Sequence, residues 1–147
     1  MKLLVTHRAP DLDAIGSVWM LKTFDAQHFA DAKVGFVDPG QKITVGQIEE
    51  MGYQEADFEE VVHTDTGLGE FDHHQPDRGK LHISATSLTY DHCCEIHPEL
   101  KEDKALQELV KVITDIDHFA ECFWPEANNS RYGFMLHEIL EGLQRAG

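Results

Sequence analysis

Short apolar runs separated by longer amphipathic stretches in the first half of the chain predict strands that alternate with helices. Residues 2–6 (KLLVT), 33–38 (KVGFVD) and 60–65 (EVVHTD) have the length and apolar content of buried strands. The segment GEFDHH, residues 69–74, predicts a fourth short strand after the turn at Gly67 to Gly69. Four strands are therefore expected before residue 75.

Helical periodicity fills the gaps between these strands and dominates the rest of the chain. In DAIGSVWMLKTF the apolar residues recur with a helical rhythm after a loop marked by Pro10, and a second helix is predicted near residues 44–51. Three further helices are predicted over residues 84–97, 100–120 and 131–145, separated by Pro98 and by the segment WPEANNS.

Strands that alternate with helices favour right-handed βαβ units and a parallel sheet. We therefore expect an α/β fold with a Rossmann-like, mainly parallel sheet flanked by helices and a helical C-terminal part. At 147 residues, with 41% hydrophobic and 27% charged residues, the chain is expected to form one domain with its own core.

Acidic residues outnumber basic ones, 27 to 12, which gives a formal net charge of −15. Such a surface repels nucleic acid, so long duplexes are not expected partners, whereas small anions held through metal ions are. No apolar run approaches the roughly 20 residues of a membrane span, and MKLLVTH is too short an apolar region for a signal peptide. The three cysteines are an odd number, and two are adjacent, which favours a reducing compartment. We expect a cytoplasmic protein without membrane contact.

Aspartate and histidine residues follow three of the predicted strands. His7, Asp11 and Asp13 follow the first with the spacing H-x3-D-x-D, Asp65 follows the third, and the triplet Asp72-His73-His74 ends the fourth. An isolated D-x-D or His-His pair is usually solvated. In an open parallel sheet, however, the loops at the carboxyl ends of the strands converge on one crevice, so these groups should meet.

Carboxylates and imidazoles that converge suit divalent ions such as Mn²⁺, Mg²⁺ or Zn²⁺. Without metal, carboxylates so close together would raise one another's pKa. Two such ions about 4 Å apart can activate water and clamp a phosphoryl group under attack. The pattern therefore predicts a two-metal site for phosphate chemistry.

These motifs resemble those of the DHH phosphoesterase superfamily. The segments THRAPDLDAIGS, VVHTDTG and FDHHQ are similar to its first three motifs, and SATSLTY is similar to the small-residue helix that follows them. The DHHQ form, with a DTG turn just ahead, particularly resembles the Myg-type exonuclease branch. The resemblance spans residues 5–90 and implies a Mn²⁺- or Mg²⁺-dependent hydrolase with two ions.

The resemblance also implies a role for each residue. His7, Asp11 and Asp65 would hold one ion, and Asp13, Asp65 and His73 the second, with Asp65 as the bridge. Asp72 would orient a histidine from outside the ligand sphere, and His74 would contact the substrate phosphate.

The fourth motif of the family, an aspartate, has two candidates in VITDIDHFAE, because no D-T-G-x-F occurs downstream. On a helix, Asp117 shares a face with Leu106, Val110 and Ile113, whereas Asp115 points away from it. The IDH around Asp117 also looks like the Myg-type version of the motif. We predict Asp117 as the ligand, provided that the helix continues through Asp115.

Most relatives carry a second domain with a Gly-rich, basic motif, which this sequence lacks, so we expect a stand-alone catalytic domain over residues 1–147. Arg8, Arg78 and Lys80 lie in the motif loops. Each is either a phosphate ligand or a solvent-facing charge, and we include Arg8 and Arg78 among the predicted substrate contacts.

Two further segments offer weaker candidates. In DHCCEIH, residues 91–97, the spacing of Cys93 and Cys94 to His97 permits zinc, but no further Cys/His pair completes a closed tetrahedral site. The last helix is either core or a self-association face, which allows a homo-oligomer.

The expected function is hydrolysis of short oligonucleotides, nucleotide phosphates or other small phosphate esters. Two alternatives remain open: a manganese-type inorganic pyrophosphatase, and a non-catalytic metal- or nucleotide-binding regulatory module.

Overall fold

The computed structural model describes residues 1–146 as a mixed α/β fold, in which a small parallel sheet is flanked by helices. The strands are β1 (Lys2–His7), β2 (Lys33–Val37) and β3 (Glu60–His63). The helices are α1 (Leu12–Phe24), α2 (Ala26–Phe29), α3 (Val45–Glu50), α4 (Ala85–Ile96), α5 (Lys104–Asp117) and α6 (Leu136–Ala146). Among these helices, none combines the length and the apolar character needed to cross a membrane.

The sheet has the order β2-β1-β3, and both pairs are parallel, with Leu3 opposite Lys33 on one side and Val61 on the other. Leu3, Leu4 and Val5 are fully buried. A central parallel strand is covered on both faces, which explains why β1 is a continuous apolar run rather than an alternating one.

Two hydrophobic clusters cover the two faces of β1. Leu4 packs with Met20 and Leu21 of α1 and with residues of α2, α4 and α5, whereas Leu3 and Val5 pack with Ile48 of α3 and its neighbours. Helices therefore lie on both faces of the sheet, and His7, Asp11 and Asp65 lie at or just after the carboxyl ends of β1 and β3.

Side-chain caps fix where the helices begin. Asp11 caps α1 by accepting a hydrogen bond from the Ala14 backbone N–H at 2.9 Å, and Thr44, Ser84 and Asp103 cap α3, α4 and α5. Each cap satisfies a backbone N–H that the first helical turn leaves unpaired. Asp11 therefore has a structural role in addition to its place in the first motif.

The predicted fourth strand was wrong. Within residues 69–74 only Phe71 pairs with the sheet, through a single parallel bridge to Thr64. Gly67 adopts a left-handed backbone, and the Asp72 carboxylate accepts from the backbone N–H groups of Leu68 and His74. Side-chain hydrogen bonds shape this segment as a loop, although it still lies beside the end of β3.

Three predicted boundaries also move. The helix expected from residue 100 begins at Lys104, because Pro98–Glu102 forms a 3₁₀ turn, and it ends at Asp117 rather than at residue 120. The helix expected from residue 131 begins at Leu136, after a 3₁₀ turn at Ser130–Phe134.

Candidate metal centre

The carboxyl ends of β1 and β3 bring the first group of predicted ligands together. His7 ends β1, and its Nε2 lies 3.1 Å from Asp65 Oδ2 and 3.7 Å from Asp11 Oδ2. The other nitrogen of His7, Nδ1, lies 3.0 Å from the Arg8 carbonyl oxygen. That contact holds the proton on Nδ1 and leaves Nε2 as the ligand atom, which is the usual arrangement in metal sites.

Asp65 occupies a strained position at the centre of the cluster. Its φ of 55° lies in the left-handed region, its side chain is buried, and its backbone N–H donates to the Phe71 carbonyl at 2.8 Å. Aspartate tolerates this conformation better than most residues, yet such strain tends to persist at functional sites. The bridge between Thr64 and Phe71 thus holds Asp65 in place.

Asp13 reaches the cluster from the first turn of α1 and is anchored by α4. Its two carboxylate oxygens accept from the backbone N–H groups of Ala85 at 2.7 Å and Thr86 at 2.8 Å, and it is almost completely buried. The partial positive charge at a helix N-terminus stabilises a carboxylate there. Asp13 Oδ2 is also 3.7 Å from His73 Nε2.

His73 lies where the carboxylates converge. Its Nε2 is 3.4 Å from Asp65 Oδ1 and 3.5 Å from Asp117 Oδ2, in addition to the contact with Asp13. Within residues 1–146, the buried atoms Asp65 Oδ1, His73 Nε2 and Asp117 Oδ2 have no hydrogen-bond partner. Buried polar atoms are normally paired, so three orphaned atoms facing one another indicate a missing ligand such as a cation.

Asp117 joins the cluster, and Asp115 does not. The helix α5 continues through Asp115, whose Oδ1 lies 2.9 Å from His82 Nε2 on the outside of the site. Of these two aspartates on α5, Asp117 is therefore the one that reaches the cluster.

Asp72 and His74 form the rim of the site. Asp72 is fully buried, and its Oδ1 lies 2.7 Å from Nδ1 of His74, whose side chain is mostly exposed. Burial would raise the pKa of Asp72, but the hydrogen bonds from His74 and the Leu68 backbone lower it below its usual value. Asp72 is thus an ionised carboxylate that orients His74.

The two arginines predicted to contact phosphate differ in their contacts with the protein. Arg78 donates from Nη1 to the carbonyl oxygens of Glu70 at 2.7 Å and Asp72 at 2.9 Å, so it braces the loop that carries the triplet. Arg8 is exposed, with Nη1 3.8 Å from Asp38 Oδ1, and remains available to a ligand.

The crowded charges shift the pKa values of the cluster. Hydrogen bonds to Asp11 and Asp65 raise the pKa of His7 to about 10. Burial alone would lower the pKa of His73, but the nearby carboxylates of Asp65, Asp117 and Asp13 raise it to about 9. Burial and the charge of Asp13 raise the pKa of Asp117 to about 7, and burial and Asp65 raise that of Asp13. The raised pKa values mean that the crowded carboxylates are compensated by bound protons, and metal cations could take the place of these protons.

His118, directly after Asp117, is a further neighbour of the cluster. With His73 and Asp117 it forms one of the three clusters found among residues 1–146 whose ligand atoms lie within 4.8 Å of one another, the others being Asp65-His73-His74 and His7-Asp11-Asp65. Its Nε2 lies 2.8 Å from the Ile83 carbonyl oxygen, which makes it a brace between α5 and the loop before α4. Its position directly after Asp117 was the only signal in the sequence.

The donor set fits divalent cations. Carboxylate oxygens and imidazole nitrogens are ligands that Mn²⁺, Mg²⁺ and Zn²⁺ accept, and the candidate clusters overlap at Asp65 and His73. No protein-family model, curated protein or solved structure matches the chain, so the interpretation of this centre depends on its own residues.

Proposed function

We propose that the chain is a DHH-type phosphoesterase that uses two divalent cations, Mn²⁺ or Mg²⁺, to hydrolyse small phosphate esters. The observation that carries the proposal is the set of three orphaned buried atoms, Asp65 Oδ1, His73 Nε2 and Asp117 Oδ2, at the centre of the motif residues. A cation between them would satisfy all three at once and neutralise the carboxylates.

Each ion has a natural ligand set. His7, Asp11 and Asp65 would hold the first, since Nε2 of His7 already lies against both carboxylates. Asp13, Asp65, His73 and Asp117 would hold the second, so Asp65 would serve both ions. Asp13 would keep its bonds to α4 while a remaining lone pair serves the metal, because each carboxylate oxygen has two.

The residues of the chain have distinct parts in the reaction. Bound divalent ions would polarise the phosphoryl group and generate a nucleophile from water. Asp72 keeps Nδ1–H of His74 engaged, so Nε2 of this exposed imidazole is left free, and in the imidazolium form it would donate to a phosphate oxygen. Developing negative charge on the phosphate would be stabilised by a donor that is already oriented.

The fold supports this interpretation at a coarser level. We interpret the parallel order β2-β1-β3, with the helical part that follows, as a Rossmann-like catalytic domain. In such sheets ligands bind at the carboxyl ends of the strands, where the strand order reverses, and the cluster lies at the ends of β1 and β3.

Charge and exposed surface limit the partners. The net charge of −15 favours short oligonucleotides, nucleotide phosphates or other small esters over long duplexes. Exposed Leu136, Ile139 and Leu143 on α6 offer an apolar stripe through which a homo-oligomer could form.

The test couples metal binding to turnover. Mn²⁺ binding would be measured by calorimetry. Phosphate release would be followed with short RNA, short DNA, a nucleoside bisphosphate, a cyclic dinucleotide, pyrophosphate and a generic phosphodiester. The variant Asp65→Asn should lose both binding and turnover, and Asp115→Asn, which changes a carboxylate outside the cluster, should keep both. Turnover of pyrophosphate alone would contradict the proposal in favour of a pyrophosphatase, and Mn²⁺ binding without any turnover in favour of a regulatory module.

A further inference from the structure

A small cavity opens beside the metal centre and shares three of its carboxylates. It measures about 180 Å³, and its lining includes Asp11, Asp13, Asp117, Phe119, His137 and Leu140. Pockets for drug-sized ligands are larger, roughly 300–1,000 Å³, so this cavity suits one ring system rather than a whole nucleotide. Because the cavity shares these carboxylates with the proposed metal centre, one substrate could place its phosphate at the metal centre and another of its groups in the cavity.

The backbone conformation of Phe119 is unfavourable unless the side chain gains contacts with a ligand. It follows α5 with φ 56° and ψ 24°, the left-handed conformation that usually selects glycine at the end of a helix. For a bulky residue this conformation is a genuine outlier, and the side chain, which is 77% exposed, gains little packing in return. Strain of this kind, when it persists beside a site, points to a function.

His137 provides a second, independent observation. It is 8% exposed, and its Nδ1 has no hydrogen-bond partner within residues 1–146. Its other nitrogen lies 3.7 Å from Glu138 Oε1. A buried nitrogen in the wall of a cavity, with no partner from the protein, calls for a polar atom of a ligand.

The helix that carries His137 is attached to the motif loop. Gln144 of α6 donates from Nε2 to the Pro10 carbonyl oxygen at 2.8 Å, close to the capping residue Asp11. This contact attaches α6, and with it His137, to the loop before Asp11 and Asp13, which line the same cavity.

We propose that this cavity binds the nucleobase of a nucleotide substrate, stacked on the Phe119 ring and hydrogen-bonded by His137 Nδ1. A nucleobase has both a π-face for the Phe119 ring and ring-edge polar atoms for His137, whereas a sugar has no π-face and an alkyl group has neither feature. The inference rests on the proposed function for the position of the phosphate, and it narrows the substrate class to nucleobase-bearing esters.

The test compares adenosine 5′-monophosphate with ribose 5-phosphate, which lacks the base, by calorimetry in saturating Mn²⁺. The nucleotide should bind at least about ten-fold more tightly, the size of effect that one stacked base gives. Phe119→Leu should reduce that preference about five-fold or more while leaving ribose 5-phosphate unchanged. The matched control is Phe123→Leu, because Phe123 is also an exposed aromatic residue, at 86%, but lies outside the cavity wall.

Two variants of His137 separate recognition from folding. His137→Leu fills similar space without the orphaned nitrogen, so it should keep or raise Tm while weakening nucleotide binding. His137→Asn, whose side-chain amide offers a polar atom in a similar position, should retain more of the preference. Phe119→Gly should also keep or raise Tm, since glycine adopts the left-handed backbone without strain.

The outcomes distinguish this inference from the proposed function. Base-dependent binding that requires Phe119, without hydrolysis, would support the inference and refute the enzyme. Hydrolysis with equal binding of both probes, or no binding of either probe, would overturn the inference. An equal loss of nucleotide binding in Phe119→Leu and Phe123→Leu would also overturn the inference. It would indicate that both aromatic residues belong to a surface covered by another protein chain, and the oligomeric state of the variants would then change.

Discussion

Asp117 and Asp115 lie two residues apart on α5 and differ in what they contact. Asp117 Oδ2 is buried and faces His73 Nε2 at 3.5 Å, whereas Asp115 pairs with His82 away from the cluster. We expect Asp117→Asn to weaken Mn²⁺ binding by about ten-fold or more, because changes even outside the ligand sphere have effects of this size. Asp115→Asn should bind within about two-fold of the unaltered protein. Calorimetry measures both, and equal losses would exclude Asp117 as the specific ligand.

The three cysteines differ sharply in accessibility. Cys93 and Cys94 are buried in α4, and Cys122 is exposed. Burial and the nearby charge of Asp25 raise the pKa of the Cys93 thiol to about 12, and its Sγ lies 3.7 Å from the Met20 carbonyl oxygen. Because the thiolate is the reactive form, a chromogenic thiol reagent at pH 8 should titrate one thiol quickly and the other two only after unfolding. Rapid reaction of all three in the native protein would contradict this packing of α4.

The sequence predicted which residues meet but not how they are held. His7, Asp11, Asp13, Asp65 and His73 could be grouped, because the carboxyl ends of parallel strands lie at one edge of a sheet. That Asp13 is anchored by the backbone of α4 could not be foreseen. It depends on the path of residues 64–84, where turns and side-chain hydrogen bonds leave no periodic signal.

At the level of elements, Phe71 shows why the fourth strand was predicted wrongly. Alternating apolar and polar residues around it are typical of a strand, but strand pairing needs backbone donors and acceptors in register. Here the backbone N–H groups of Leu68 and His74 donate to the Asp72 carboxylate instead of to a strand. The segment 69–74 is therefore joined to the sheet by the single bridge between Phe71 and Thr64. The triplet Asp72-His73-His74 thus lies in a loop because the Asp72 side chain competes with the sheet for backbone N–H groups.

The contact between α1 and α4 depends on Gly16. A Cβ at this position would lie 2.5 Å from the Thr86 hydroxyl, which is buried and donates to the Asp13 carbonyl oxygen. We expect Gly16→Ala to destabilise the protein by about 1–3 kcal/mol through overpacking. It should also weaken Mn²⁺ binding, because Thr86 positions Asp13. Denaturant unfolding and calorimetry would measure the two effects.

Gly142 of α6 is the matched control for that substitution. An added Cβ there meets no atom within 4 Å, so Gly142→Ala should stabilise by about 0.5–1 kcal/mol through helix propensity alone. Equal responses of the two glycine variants would contradict the close approach of α1 and α4.

At the level of the whole molecule, the acidic charge and the buried cluster both make the metal-free protein sensitive to pH. Asp117 holds a proton in the folded state up to about pH 7, and His73 up to about pH 9, whereas both release theirs earlier when the chain is unfolded. Asp11 and Asp72 have lowered pKa values, so their contributions are lost only at acidic pH, as pH falls through their folded pKa values. Between pH 5 and 9 the folded state therefore binds more protons than the unfolded state.

The raised pKa values make the metal-free protein less stable as the pH rises. For Asp117, whose pKa is raised, stability falls as pH rises from about 4 to 7; for His73, stability is full below pH 6.5 and is lost as pH rises through 9. In a chelator, the free energy of unfolding should therefore fall by several kcal/mol between pH 5 and 9, and His7, whose pKa is raised to about 10, adds to the fall above pH 6.5. Excess Mn²⁺ should reduce or reverse the slope, because cations bind the deprotonated ligands. Asp117→Asn should remove the part of the slope below pH 7, and it should unfold at higher temperature than the unaltered protein in chelator but at lower temperature in Mn²⁺. Stability that rises with pH in the chelator would contradict the clustering of these carboxylates around His73.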